Sequence, residues 1–411
     1  MKKLSLVFFL PILMWSQNLS DLITISQENK LVKSSQQNLE SIEDDFSSTK
    51  KSYLPSLSIG GNYSNTNHET ASVPDNSVTS YAKLNYTLYD GNKKSNLYKG
   101  YESSIKSSQE SIYALKNEIA LDVVNYYYSY LSLLANKDAK LKEIEQLESE
   151  AKRVKNFVDV GSSTTDEFDK INSRIQSSNV DLNQIELDIQ TISHTLEYIT
   201  GNEVNITEGS LIREVNINEK QERADIKALE YNLDKLVSDA KTVKSEKLPQ
   251  INITNTYTYY DQNYKNKNYE NDLNDQNVLA VNLSWKIFDF DATNKKYSSK
   301  YKTYLSQKSQ YEYQKNKANI DLKLAIKSYD ITKTKIKAAQ SALKAATSTY
   351  ESIKSKYQNG LIDNVSFLEA LSEKYNALSA LKSSEYELEV KKANILFYSG
   401  KNIEEYIQWE N

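Results

Sequence analysis

Four stretches of the chain alternate apolar and polar residues with a period of two. Leu57, Ile59 and Tyr63 alternate with Ser58, Gly60 and Asn62, and Ala82, Leu84, Tyr86 and Leu88 alternate with Lys83, Asn85 and Thr87. Ile251, Ile253, Tyr257 and Tyr259 alternate with Asn252, Thr254, Thr256 and Thr258. Leu279, Val281, Leu283, Trp285 and Ile287 alternate with Ala280, Asn282, Ser284 and Lys286. Period two sends successive side chains to opposite faces of a strand, and it predicts strands over 56–65, 79–89, 250–260 and 278–288. Roughly ten residues is the length of a tilted strand that crosses a bilayer core. The links inside each pair, 65–77 and 262–277, are polar and rich in Asn and Asp, as exposed loops are.

Elsewhere the period becomes helical. Long helices are predicted over 94–158 and 295–358, where no Pro occurs and Gly100 is the only Gly. Leu141, Ile144, Leu147, Ala151, Val154 and Val158 step by three and four, a narrow seam of coiled-coil type. At 1.5 Å per residue each helix would be about 95 Å long. Gly161 and Gly360 stand where a left-handed helix stop is wanted, and return helices over 165–200 and 364–399 follow. The return helices are only about half as long as the rods. Segments 19–52 and 223–247, before the strand pairs, supply the missing length if each stacks end to end with a return helix. Segment 202–222 and the tail 401–411 would then form an equatorial belt at the joints.

The same series of elements occurs twice. Tyr53-Leu54-Pro55-Ser56-Leu57-Ser58-Ile59 returns as Lys247-Leu248-Pro249-Gln250-Ile251-Asn252-Ile253, and Leu84 to Asp90 returns as Leu283 to Asp289. Val154 to Gly161 returns more loosely as Ile353 to Gly360, and Leu196 to Gly201 as Ile395 to Gly400. Four matches in one order indicate a duplication. Residues 17–201 form the first repeat and 223–400 the second.

Composition agrees with long elements. The 411 residues include only 9 Gly and 4 Pro, where average usage gives about 29 and about 20. Absence of Cys excludes disulfides, thiolate metal sites and a Cys nucleophile. Two His, His68 and His194, make His-based metal sites and triads improbable, so no catalytic, cofactor or metal site is expected. A net charge of -4 with interspersed signs gives no nucleic-acid footprint. Residues 1–16, basic at Lys2 and Lys3 and then apolar, read as a secretory signal peptide.

Four membrane-length strands cannot close a barrel, and open edges do not survive in lipid. Copies of the chain must therefore combine. Two copies give eight strands, whose lumen side chains fill, and three give twelve, enough for an open pore. The 31 Tyr suit such a barrel, since aromatic residues band its interfaces. Tyr81, Tyr86, Tyr257, Tyr259 and Trp285 are the candidates for that role. The expected fold class is a membrane β-barrel, with four transmembrane strands per chain, carried on long antiparallel helices. A periplasmic coiled-coil scaffold or adaptor explains the helices but leaves the strands without purpose, and an enzyme has no recognisable catalytic context here.

The sequence resembles TolC-type outer-membrane efflux proteins over essentially the whole mature chain. The carriers are the duplication, the strand entries Leu54-Pro55 and Leu248-Pro249, the strand exits Tyr89-Asp90-Gly91 and Phe288-Asp289, and the turn glycines Gly161 and Gly360. The resemblance implies a homotrimer with a 12-stranded barrel in the outer membrane of a Gram-negative bacterium, continuous with an α-helical barrel that forms a periplasmic tunnel. It also implies docking, at turns such as Gly161 and Gly360-Leu361, onto a periplasmic adaptor, and work with an inner-membrane RND or ABC transporter in efflux or type I secretion. Acidic residues ring the closed tip in this family, six and nine positions after the second turn glycine; here Ser366 and Glu369 stand there. Glu167 takes the place of an Asp that latches to a Tyr and an Arg on the other hairpin. Tyr357 matches that Tyr, and Ile362 stands where the Arg would be.

Overall fold

The structure is a computed structural model, and it describes residues 17–162, 164–214, 221–269 and 273–409. The expected signal peptide, residues 1–16, lies outside the described residues, as do 215–220 of the expected belt, 270–272 of the second polar loop and the last two residues of the tail. In chain order the principal elements are α1 (Leu19–Ser26), α2 (Lys30–Ser52), β1 (Ser56–Asn65), β2 (Asn76–Tyr89), α3 (Lys93–Asp159) and α4 (Thr165–Thr200). Then come β3 (Ser210–Ile212), α5 (Ala224–Ser245), β4 (Gln250–Asn263), β5 (Asp275–Ser284), α6 (Ala292–Gln358), α7 (Asn364–Tyr398) and β6 (Ile407–Trp409). The helix α3 has 67 residues, and α6 also has 67. The chain divides into two compact units, one made of 35–111 and 225–314, the other of the remaining segments.

The unit built from 35–111 and 225–314 carries an antiparallel four-stranded sheet in the order β1-β2-β4-β5. Leu57 is paired with Leu84 and Ile59 with Ala82. Across the centre, Ala82 faces Tyr257 and Tyr86 faces Ile253, and at the far side Ile253 faces Val281 and Ile251 faces Leu283. Because partners share a face, these registers collect the apolar members of all four strands on one side. The helices of this unit bury aromatic rings as well as aliphatic residues of α5 such as Ile226, Ala240 and Val243. The Phe46 ring stacks on Tyr101 at 5.4 Å and meets Tyr98 edge-on at 5.5 Å.

Several boundaries differ from expectation. β2, β4 and β5 reach further into the polar links than the alternation indicates, with Asn76 paired to Asn263 and Asp275 to Tyr259. Ladder bonds use backbone groups, so Asn- and Asp-rich ends pair as well as apolar ones. β5 in turn stops at Ser284 rather than continuing to Phe288. β4 begins at Gln250, the partner of Ser284, so the chain offers no ladder partner beyond that point among the described residues. Segment 19–52 is two helices rather than one, because Asn29 restarts it. The Asn29 side chain accepts from the Val32 N–H at 2.9 Å and so caps α2.

The second unit holds two larger cores and a small one of Leu322, Ala325, Tyr329 and Ile395. One of the larger pair joins Leu19, Leu22 and Ile23 of α1 to Val123, Val124 and Tyr127 of α3, with Leu196 and Leu396 from the return helices. A short β3–β6 pair belongs to it, Ile212 opposite Ile407. Tyr127 and Tyr128 are buried there and donate to the carbonyls of Thr207 and Ser210 at 2.7 and 2.9 Å. Part of the tyrosine surplus is thus helical and structural. The other large core lies toward the hairpin turns and contains Leu147, Val154, Ile171, Tyr350, Tyr357 and Phe367. Each fully buried aliphatic side chain there contributes about 1.5–3 kcal/mol.

Candidate channel wall and hairpin tip

The sheet has one apolar and one polar face, and most of its large apolar side chains are exposed. Leu57, Ile59, Val281 and Leu283 are each at least two-thirds exposed. Such a face on a water-soluble domain would be a liability, whereas hydrocarbon solvates it without cost. Tyr86, Tyr257 and Tyr259 lie on this face by register. Tyr81 does not. It pairs with Gly60 and Thr258, on the side of Lys83 and Asn85, and its ring covers Gly60 so closely that an added Cβ would sit 2.5 Å from it. Tyr81 therefore leaves the interfacial set; period-two position, not residue type, decides the face. Trp285 lies beyond the end of β5, and its Nε1–H donates to the Lys247 carbonyl at 3.0 Å.

Both hairpin turns are built alike. Gly161 has φ +73° and Gly360 φ +72°. At the first turn the Gly161 and Ser162 N–H groups donate to the Val158 and Phe157 carbonyls at 2.9 and 2.7 Å. At the second the Gly360 and Leu361 N–H groups donate to the Tyr357 and Lys356 carbonyls, each at 2.9 Å. The left-handed glycine satisfies the last carbonyls of each long helix. Val160 and Leu361, 72% and 73% exposed, stand beside the two glycines. Return helix α7 is capped by Asp363, whose carboxylate accepts from the Ser366 N–H at 3.0 Å. The Ser366 hydroxyl first, and then that N–H, hold the Asp363 carboxyl below the usual range.

Tyr357 is buried and stacks on Phe367 at 4.9 Å. Burial first, and then the carboxylates of Glu150 and Glu167, push its phenol well above the ordinary value. Glu167 also meets the second hairpin through its backbone, where its carbonyl accepts from Asn364 Nδ2 at 3.1 Å. Ile362, in the place of the family's Arg, packs against the core. The cation comes instead from the first hairpin: the Arg153 guanidinium lies 5.0 Å from the Tyr357 ring and 5.3 Å from Phe157. Arg153 also grips the Glu150 carboxylate, with Nε at 2.9 Å from Oε1. Glu369 is exposed, in a groove that it shares with Lys170, Arg174 and Glu373.

A second polar centre was not legible as apolar periodicity. Glu143, on α3, has a side chain only 1% exposed. It takes Lys140 Nζ at 2.7 Å, Ser372 Oγ at 2.8 Å and Arg174 Nη2 at 3.4 Å, so it ties α3 to α4 and α7. Glu143 and Glu150 occupy inward positions of the α3 seam, whereas Leu141, counted in the seam from sequence, is 46% exposed.

An outer membrane efflux protein family model matches residues 24–202 and 218–401, most of the chain. The chain belongs to the outer membrane efflux protein family. No curated protein is a match. Solved structures extend the likeness to the whole fold. The outer membrane protein VceC of Vibrio cholerae superimposes with a TM-score of 0.82 at 15% identity, covering 94% of this chain and 96% of that one. The CmeC outer membrane channel of Campylobacter jejuni gives 0.81 at 16% identity, covering 94% and 86%. The open state of the MtrE outer membrane channel of Neisseria gonorrhoeae gives 0.74 at 15% identity, covering 94% and 89%.

This efflux protein is a membrane β-barrel joined to an α-helical barrel, located in the outer membrane of a Gram-negative bacterium. Its four-stranded sheet closes as a barrel only in a trimer. It is a channel rather than an enzyme, which sets aside both the scaffold and the enzyme readings. Among the described residues no helix is long and apolar enough to cross a membrane.

Proposed function

We propose that this efflux protein is the passive exit duct of a tripartite assembly. A periplasmic adaptor docks on the two hairpin turns, and an inner-membrane RND or ABC transporter supplies both cargo and energy, for efflux or for type I secretion. The observation that carries this reading is the repeated turn, a left-handed glycine beside one exposed aliphatic residue, Val160-Gly161 and Gly360-Leu361. Exposed apolar residues on turns whose hydrogen bonds are already satisfied are available to a partner. Glu369 and Glu167 then act as the acidic gate, with Tyr357 as the anchor between the hairpins. Three copies of one carboxylate around a narrow axis repel one another and attract cations.

The test separates docking from conduction. Leu361→Glu should abolish export in cells while the purified trimer conducts as before in planar bilayers. Export that survives the substitution, or conductance that falls in parallel with it, would remove the docking assignment.

A further inference from the structure

We infer that Trp285–Phe288 complete β5 by pairing with β1 of a second copy of this chain. The register places Trp285 opposite Ile59, Lys286 opposite Ser58 and Phe288 opposite Leu57 of that copy. This rests on closure by three copies and adds what closure leaves open, the alignment of the seam.

The duplication supplies the template. The two hairpins have the same register. Ser56 faces Asn85 as Gln250 faces Ser284, and Ile59 faces Ala82 as Ile253 faces Val281. Residue by residue, then, β1 corresponds to β4 and β2 to β5. The β2–β4 pair is the junction between repeats within one chain, and β5 against the next copy's β1 is the same junction between chains. In β2–β4, Ala82 faces Tyr257, Tyr86 faces Ile253 and Thr87 faces Asn252; after an irregularity at Leu88, Tyr89 faces Ile251. Transferred through the hairpin equivalence, Val281 faces Tyr63, Trp285 faces Ile59, Lys286 faces Ser58, a bulge falls at Ile287, and Phe288 faces Leu57.

Two observations independent of that transfer favour it. The pair chemistry is kept at each step: aliphatic with Tyr, aromatic with Ile, polar with polar, aromatic with aliphatic. Aromatic pairs with β-branched neighbours are among the more stabilising cross-strand contacts. Every large apolar member of the new seam is also exposed in the single chain, including Tyr63, Ile59, Leu57, Trp285, Ile287 and Phe288. The register further accounts for the early end of β5. β2 continues to Tyr89 because β4 lies beside it, while residues 285–288 have their partner strand on another copy. The correspondence ends at Phe288. A Cβ added at Gly91 would lie 2.6 Å from the Ser245 carbonyl oxygen, and the counterpart of Gly91 is Phe290.

The chain has no Cys, so paired cysteines report without background. Full-length protein carrying Ser58→Cys with Lys286→Cys, or Asn62→Cys with Asn282→Cys, should oxidise in the membrane to covalent trimers. Pairs displaced by two residues, Ser58→Cys with Ser284→Cys and Ser56→Cys with Lys286→Cys, should cross-link about tenfold less, since disulfides need Cβ atoms close together. Dominance of a displaced pair, or no product from any pair in a protein whose native mass is trimeric, overturns the register while leaving closure intact. A monomeric native mass of the unsubstituted protein would instead overturn closure itself. Two pairs at separate places in the seam guard against one that disturbs folding.

Discussion

The guanidinium of Arg153, on α3, lies 5.0 Å from the centre of the Tyr357 ring, on α6. One cation thereby fixes the last turns of both long helices, and it is held in turn by the buried Glu150. Removing Arg153 loses a cation–π contact and leaves a buried carboxylate without its partner. Arg153→Ala should cost about 3 kcal/mol of stability in the hairpin unit, most of it from the stranded charge. Arg153→Ala with Glu150→Gln should recover much of that loss. Thermal unfolding of the trimer checks both, and equal destabilisation by single and double variants would contradict the account.

The alkaline limb of stability should depend on the same ring. Burial raises the phenol of Tyr350 to about 12 and that of Tyr357 higher still. In the unfolded chain both titrate near the ordinary value of about 10. The folded state therefore holds more protons above that pH, so stability is fully present below about pH 10 and falls as pH rises toward the folded values. Tyr357→Phe should flatten the decline. Unfolding midpoints measured across the alkaline range, with tyrosinate absorbance as the second readout, decide it; an unchanged slope would refute the assignment.

How much of this was legible in the sequence depends on what each residue answers to. The strands and rods were legible because Leu283 or Val154 obeys a local period set by one buried or lipid-covered face. The end of β5 was not, because Trp285–Phe288 alternate as a strand does but their ladder partner belongs to another copy. Tyr81 looked like an interfacial aromatic until its register placed it over Gly60 on the polar face. Glu143 and Glu150 were invisible for a different reason. A hydrophobic pattern treats an acid at a seam position as a break, whereas Lys140, Arg174 and Ser372 make Glu143 a buried link.

Glu143 should be the costliest of these acids to alter. Glu143→Ala leaves Lys140 with Asp181 and the part-exposed Arg174 with Ser372, so the loss should be about 2 kcal/mol, below the ~3–5 kcal/mol of a charge stranded in a dry core. Combined replacement of Glu143, Lys140 and Arg174 by Met should restore a good part of it. Chemical denaturation of the detergent-solubilised trimer measures both; a Glu143→Ala loss of less than about 1 kcal/mol would show a link no stronger than a surface ion pair.

The glycines separate backbone strain from packing. Gly360 has φ +72° and nothing within 4 Å of an added Cβ, so Gly360→Ala should cost only the left-handed penalty, about 1–2 kcal/mol. Gly91 has φ +70° and an added Cβ would lie 2.6 Å from the Ser245 carbonyl, so Gly91→Ala should cost clearly more and disturb the strand entry. Comparable losses at the two sites would mean that the Gly91 contact relaxes freely.

The gate proposal makes its own electrical prediction. Glu369 is exposed in its groove, and Glu167 meets α7 through the Asn364 side chain and α6 through its charge near Tyr357. Glu369→Ala with Glu167→Ala should raise single-channel conductance in planar bilayers and weaken block by divalent cations, because the trimer loses six carboxylates at its narrowest part. Neutralising Asp166 instead should change neither property. That carboxyl is held low by the Thr164 hydroxyl and by Lys170, the interactions of a helix start rather than of a lumen. If the double variant conducts and blocks like the parent, the acidic gate is elsewhere, and the groove beside Arg174 and Glu373 becomes the next place to substitute.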